Sequence, residues 1–136
     1  MIRKSDRMKT YQIANILLQY PAKWEVENEG NLVSFYDAKD GFGALQLSHF
    51  FVENPKAIVL EKELIDFIER LPEGVKVQSI DNYAHCSFIN EDEIFWEYWL
   101  FLKENTLLVL TYNCSEEDFG KEKAIVDSIV ESAIAS

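Results

Sequence analysis

Between Glu93 and Lys103 two apolar sets interleave: Ile94, Trp96, Tyr98, Leu100 and Leu102 at every second position, with Phe95, Trp99 and Phe101 between them. A β-strand sends alternate side chains to opposite faces, so a strand of this composition is apolar on both. Fully burying a side chain such as Leu or Phe contributes about 1.5–3 kcal/mol, and leaving Phe95, Trp99 and Phe101 in water would forfeit several kcal/mol. The strand therefore belongs inside a sheet covered on both sides, at least at its centre, and the rest of the chain must supply two covering layers.

Two segments have the periodicity to do so. After Asn54-Pro55, Ala57, Leu60, Leu64, Phe67, Ile68 and Leu71 recur at spacings of three and four, with Pro72 and Gly74 as the stop. Asn suits the helix N-cap and Pro the first helical position. Near the end of the sequence, Ser115-Glu116-Glu117-Asp118 resembles a capping box, and Phe119, Val126, Ile129, Val130 and Ala133 form a second stripe that Ile125 broadens. The other segments read as strands: Ile13 to Tyr20, Trp24 to Asn28, Leu32 to Tyr36, Ala44 to Val52, Val75 to Ile80, Tyr83 to Ile89, Glu93 to Lys103 and Thr106 to Cys114. Turns as short as Asp81-Asn82 and Glu104-Asn105 force antiparallel neighbours, because a parallel crossover needs a dozen residues or more. The predicted class is α+β: an antiparallel sheet sandwiched by helices in the order ββββ-α-ββββ-α. Residues 1–10 read as a flexible N-terminal segment and residues 11–136 as a single α/β/α sandwich domain.

The 136 residues and 15.8 kDa suit one core. The formal charge of −11 repels nucleic acid and anionic lipid and favours a basic partner. Arg3, Lys4, Arg7 and Lys9 face Asp6 alone among the first twelve residues, so the remainder is more acidic still. The stretch after Lys9 lacks the continuous apolar run and small-residue cleavage site of an export signal. No apolar run is long enough to span a bilayer as a helix. Cys86 and Cys114 are too few for a disulfide framework and read as buried thiols of a cytoplasmic protein.

Catalytic and ligand-binding motifs are absent from the sequence. His49 and His85 are the only imidazoles, and neither C-x-x-C nor H-E-x-x-H spacing occurs. Gly41-Phe42-Gly43 precedes a strand and lacks the Lys-Ser/Thr of a phosphate loop. No serine has nucleophile-elbow context. A Cys114–His49 nucleophile pair would require the fold to bring the two together. The residues assign no catalytic, cofactor-binding or metal-binding role, and no cofactor is expected.

Tyr20-Pro21-Ala22-Lys23-Trp24 before the first hairpin, and Leu110-Thr111-Tyr112 leading through Ser115 to Ile125-Val126-Asp127-Ser128-Ile129, resemble the PsbP-like superfamily over about Tyr11 to Ala133. This superfamily includes an extrinsic photosystem II protein, a Ran-binding nuclear-import factor and small bacterial proteins. The resemblance implies a non-enzymatic α/β/α sandwich used for binding proteins, closest to the bacterial group, and transfers no site residue.

The expectation is accordingly a small bacterial protein-binding or accessory module, not an enzyme, with a basic protein as partner and no nucleic acid or membrane. The residues expected to contact that partner are Trp24, Glu25, Glu27, Glu29 and Tyr36 on the first hairpin, and Glu91 and Asp92 at a later turn. Trp24 and Tyr36 are favoured as anchors by their positions near strand ends, mid-strand aromatics being assigned to the core. The alternative is a small-molecule-binding protein with a pocket between sheet and helix, to which His49 or His85 would contribute.

Overall fold

A computed structural model describes residues 7–136. Five strands precede the first helix: β1 (Met8–Ile13), β2 (Ile16–Pro21), β3 (Glu25–Glu29), β4 (Leu32–Tyr36) and β5 (Gly43–Phe51). Then come α1 (Leu60–Phe67), β6 (Gln78–Ile80), β7 (Tyr83–Ile89), β8 (Ile94–Lys103), β9 (Thr106–Ser115) and α2 (Lys123–Ala135). Strands β3 to β9 make one antiparallel sheet in the order β3-β4-β5-β9-β8-β7-β6, while β1 and β2 form a separate hairpin.

The antiparallel sheet between helical layers is present, with one more strand than expected. Residues 1–6 of the segment expected to fray lie outside the described residues, but Met8–Thr10 pair with Gln19–Pro21, so strand structure begins at Met8 rather than near Tyr11. The hairpin turns at Ala14-Asn15, with Ala14 at φ +50°. The same x-Asn signature marks Asp81-Asn82 and Glu104-Asn105, whose first residues also have positive φ. At Ala14 neither a glycine nor an acid precedes the Asn, and the strand expected from Ile13 to Tyr20 is instead the second arm of a hairpin. Asn15 ties this hairpin to the β8–β9 turn, donating to the Lys103 carbonyl and to Glu104 Oε2, both at 3.2 Å.

Two clusters of buried side chains lie on opposite faces of β8. Phe95, Trp99 and Phe101 join Val33, Phe35, Leu45, Leu47, Leu108 and Leu110 beneath α2 and the β1–β2 hairpin. From α2 come Val126, Ile129, Val130 and Ala133, the stripe expected from the sequence. Leu100, Val109, Leu107, Ala84 and Cys86 pack against Leu64 and Ile68 from α1 and the residues after it.

Both helices are shorter than their apolar stripes. Pro55–Ala57 is a single 3-10 turn, Asn54 makes no side-chain cap, and α1 stops at Phe67 because Ile68 is extended. Leu71, Val75 and Val77 still reach the same core, along an irregular path that covers more of the sheet than one helix could. Likewise, Glu116–Asp118 is a 3-10 turn without a Ser115 cap, in place of the expected capping box, and α2 begins after Gly120 at φ +86°.

Glu122 just before α2 is buried: its Oε1 accepts from the Tyr112 hydroxyl at 2.7 Å and from Gly43 N at 2.9 Å. Burial, reinforced by this hydrogen bond, pushes the Tyr112 phenol far up and keeps it a donor. Gly43 has to be glycine, since a Cβ there would overlap Asn113 O and lie 2.7 Å from the Tyr112 hydroxyl. Asp37, also buried, accepts from Lys39 N at 3.2 Å and Asp40 N at 3.1 Å, with Lys23 Nζ at 3.3 Å. Burial pushes its carboxyl up, but these donors outweigh it and hold the net value below the usual range.

Gly43→Ala is expected to cost about 2–3 kcal/mol in urea unfolding. Asp37 contributes stability present above the ordinary carboxylate pKa near 4 and lost as pH falls through its lower folded value. Asp37→Asn, which keeps an acceptor for the two amides, should therefore unfold more easily than wild type at pH 7, by about 1 kcal/mol. Unfolding curves from pH 7 down to pH 2 should show that gap closing below about pH 4.

Candidate interaction surface

Register carries the expected site residues across the sheet. Directly paired residues share a face, so Glu27, Ser34, Gln46, Thr111, Tyr98 and Cys86 form one continuous row from β3 to β7. The adjacent row holds Glu25 and Tyr36 on β3–β4, then Ala44, Asn113, Trp96 and Phe88 on β5, β9, β8 and β7. Both rows face the α1 side. Their central members are half-buried, because α1 and the residues after it cover the sheet only over Leu100, Val109, Leu107 and their neighbours.

This leaves an uncovered platform with distinct regions. Glu25, Glu27 and Glu29 line its β3 edge, where the Tyr36 hydroxyl donates to Glu27 Oε1 at 2.6 Å. That hydrogen bond, with burial and the charges of Glu27 and Glu25, raises the Tyr36 phenol above its ordinary value. The centre is uncharged and polar, with the Gln46 amide donating to Ser34 Oγ at 3.2 Å. Beyond it the rings of Trp96, Tyr98 and Phe88 run nearly parallel, at 5.9 Å and 5.8 Å between neighbouring centroids, and Phe67 of α1 meets Tyr98 edge-on. An open groove of 740 Å³ separates these rings from residues 67–72, and Glu91, Asp92 and the single base Arg70 border it.

Of the seven residues expected to contact a partner, Glu25, Glu27, Glu29 and Tyr36 lie together on the platform's β3–β4 side, and Glu91 and Asp92 border the groove at its far side. Trp24 does not join them: it is 6% exposed within the core under α2, so it is not available as an anchor. Trp96 and Tyr98, assigned to the core by periodicity, are only partly buried instead. Period-two alternation cannot say how far a helix reaches along a sheet. The polar partners Ser34, Gln46, Thr111 and Asn113 carried the missing signal, but only register shows that they share the face of Trp96.

Chemistry at the cysteines is disfavoured. Burial, with Glu97 adding to it, pushes the Cys86 thiol up to about 11, and burial also raises Cys114. Both stay protonated at neutral pH, on opposite faces of the sheet. The Cys114–His49 pair does not form: Cys114 is opposite Gly43 and His49 opposite Leu108, at the two ends of the β5–β9 ladder. Among the described residues no group of three His, Cys, Asp or Glu side chains is placed to hold a metal.

No family model matches the chain, and no curated protein matches its sequence. Solved structures do. A cyanobacterial PsbP from Synechocystis superimposes with a TM-score of 0.67 at 11% identity, over 92% of this chain and 90% of that one. The chain has a PsbP-like fold. A Bacteroides thetaiotaomicron protein aligns at TM-score 0.60 and 15% identity over 86% of this chain, which spans only 43% of that protein's length. A Pseudomonas aeruginosa protein of unknown function, described as a candidate regulator, aligns at 0.51 and 14% identity over 93% of this chain and 95% of that one. At such identities the likeness of this PsbP-like chain to its neighbours is one of fold, as expected from Tyr20–Trp24 and the Leu110–Ile129 region. No helix among the described residues is long and apolar enough to cross a membrane.

Replacing Glu27 by Gln removes both the charge and the strong acceptor beside Tyr36. A tyrosine titration followed by NMR should show the Tyr36 phenol moving down toward its ordinary value in Glu27→Gln.

Proposed function

We propose that this chain is a non-enzymatic protein-binding module of the bacterial cytoplasm whose uncovered sheet face docks a basic segment of another protein. The carrying observation is the pair of registered rows, which join an acidic edge at Glu25 and Glu27 to partly exposed aromatics at Trp96 and Tyr98 without an intervening helix. Charge complementarity selects the occupant: acids stand at both ends, Arg70 is the one base bordering the groove, and the chain carries −11 overall. Acidic rims speed encounter with a basic partner, while desolvated aromatic anchors slow its departure. None of the three similar structures is described as an enzyme. Two buried, protonated thiols on opposite faces suit a reducing compartment.

Affinity capture from lysate of the source organism, with wild type beside Glu25→Lys/Glu27→Lys and Trp96→Ala, tests this reading. A basic protein retained by wild type at low salt should be lost at moderate salt and absent from the charge-reversed capture. Against that purified protein, Trp96→Ala should weaken binding by about tenfold or more, mainly through faster dissociation. Equal capture by the charge-reversed chain at both salt concentrations rejects the proposal.

A further inference from the structure

Strand β3 ends the seven-stranded sheet and pairs with β4 alone, so one side of its backbone faces outward. Gly30-Asn31 is a two-residue loop, which makes Glu29 and Leu32 a hydrogen-bonded pair, with Glu27–Ser34 and Glu25–Tyr36 following at every second position. The peptide groups of Val26 and Asn28 therefore point away from β4 and have no backbone partner among the described residues. Glu25, Glu27 and Glu29 share the platform face, and none of them is in an ion pair among the described residues. Val26 and Asn28 lie on the other face, where the Asn28 amide donates to the Tyr11 hydroxyl at 2.8 Å. A second copy is a poor occupant for this edge, because antiparallel β3–β3 pairing sets these acids against one another, and like charges directly opposite are destabilising. The far edge of the sheet, β6, offers three residues and no charge.

We propose that the partner's basic segment docks by strand addition, lying antiparallel along β3 as a further strand of the sheet with Lys or Arg at every second position. Strand addition rests on the docking function proposed above and gives that docking its backbone mode. Exposed sheet edges take up extended segments through main-chain hydrogen bonds, while alternate side chains supply selectivity. Residues of the segment opposite Val26 and Asn28 exchange N–H and C=O bonds with them. Residues opposite Glu25, Glu27 and Glu29 fall in non-hydrogen-bonded pairs, where facing side chains come closest and opposite charges attract. Antiparallel addition is favoured because parallel pairing is less stable per residue. The acids that bar pairing between copies of this chain thus select a basic strand.

The peptide Thr-Lys-Val-Lys-Val-Lys-Thr, blocked at both ends and titrated into the full chain at low salt with amide NMR as the readout, tests this mode. Binding should shift the Val26 and Asn28 amides, and methylating both valine nitrogens of the peptide should weaken it about tenfold or more. Methylating the lysine nitrogens, which face solvent in the antiparallel arrangement, should leave affinity unchanged. Asn28→Pro removes an outward donor that the β3–β4 ladder does not use, and should weaken binding about fivefold with native near-UV circular dichroism. Asn28→Ala, which loses the Tyr11 bond but keeps the peptide N–H, should bind as wild type does. Glu25→Lys/Glu27→Lys should abolish binding. Loss on charge reversal without any response to valine methylation overturns strand addition and leaves the basic-partner reading standing. Absence of peptide binding, while capture of a basic partner still depends on Glu25 and Glu27, has the same meaning. Equal binding of the peptide by the charge-reversed chain overturns both.

Discussion

Strand β8 has no face that can be left in water, and most of the architecture answers that constraint. Its neighbours β9 and β7 satisfy its backbone, while its two side-chain faces require separate covers. Phe95, Trp99 and Phe101 receive a complete one, from α2 and the β1–β2 hairpin together. Ile94, Trp96, Tyr98, Leu100 and Leu102 receive a partial one, because α1 is eight residues long and the chain beyond it is irregular. The unfinished half of that cover is the platform on which the proposed docking rests.

The two covers also differ in chemistry. On the α2 side, polar groups act as fixed points: buried Glu122 joins α2 to Tyr112 and Gly43, and the partly exposed Ser132 Oγ accepts from Gln19 N of the hairpin at 2.8 Å. Each such bond adds modestly to stability when made and is costly to break, so these groups set where α2 and the hairpin sit. On the α1 side the contacts are almost wholly apolar and give way to the partly exposed rings of Trp96, Tyr98 and Phe88. A cover fixed by directional bonds and one that ends in partly exposed aromatics leave the sheet with two unequal faces.

Much of the strand meander was readable from alternation and turn residues, since period two and x-Asn turns are local properties. Element type and order in the second half follow that reading closely, with β6 shortened to Gln78–Ile80. The hairpin at Ala14-Asn15 escaped it because Ala carries no turn signal, and positive φ at a non-glycine residue is tolerated where neighbouring structure repays its cost. The helix ends escaped for a different reason. Ile68, Leu71 and Val75 are apolar because the sheet beneath them must be covered, whether or not the backbone remains helical, so an apolar stripe outruns its helix.

For the candidate site the division is sharper. The acids of β3, Tyr36, and the Glu91-Asp92 turn are visible in the sequence as charge and position, and two short motifs suffice to suggest a PsbP-like fold. Sequence alone thus determines a strand that must be buried on both faces, an acidic surface and two apolar covering segments. Pairing of β5 with β9, residues more than fifty positions apart, was decided only in three dimensions. That register aligns Glu27 with Tyr98 across five strands, while the reach of the two covers buries Trp24 and leaves Trp96 partly exposed. Side-chain alternation is local, whereas which strands pair and how far a helix covers them depend on how the whole chain shares its limited apolar surface.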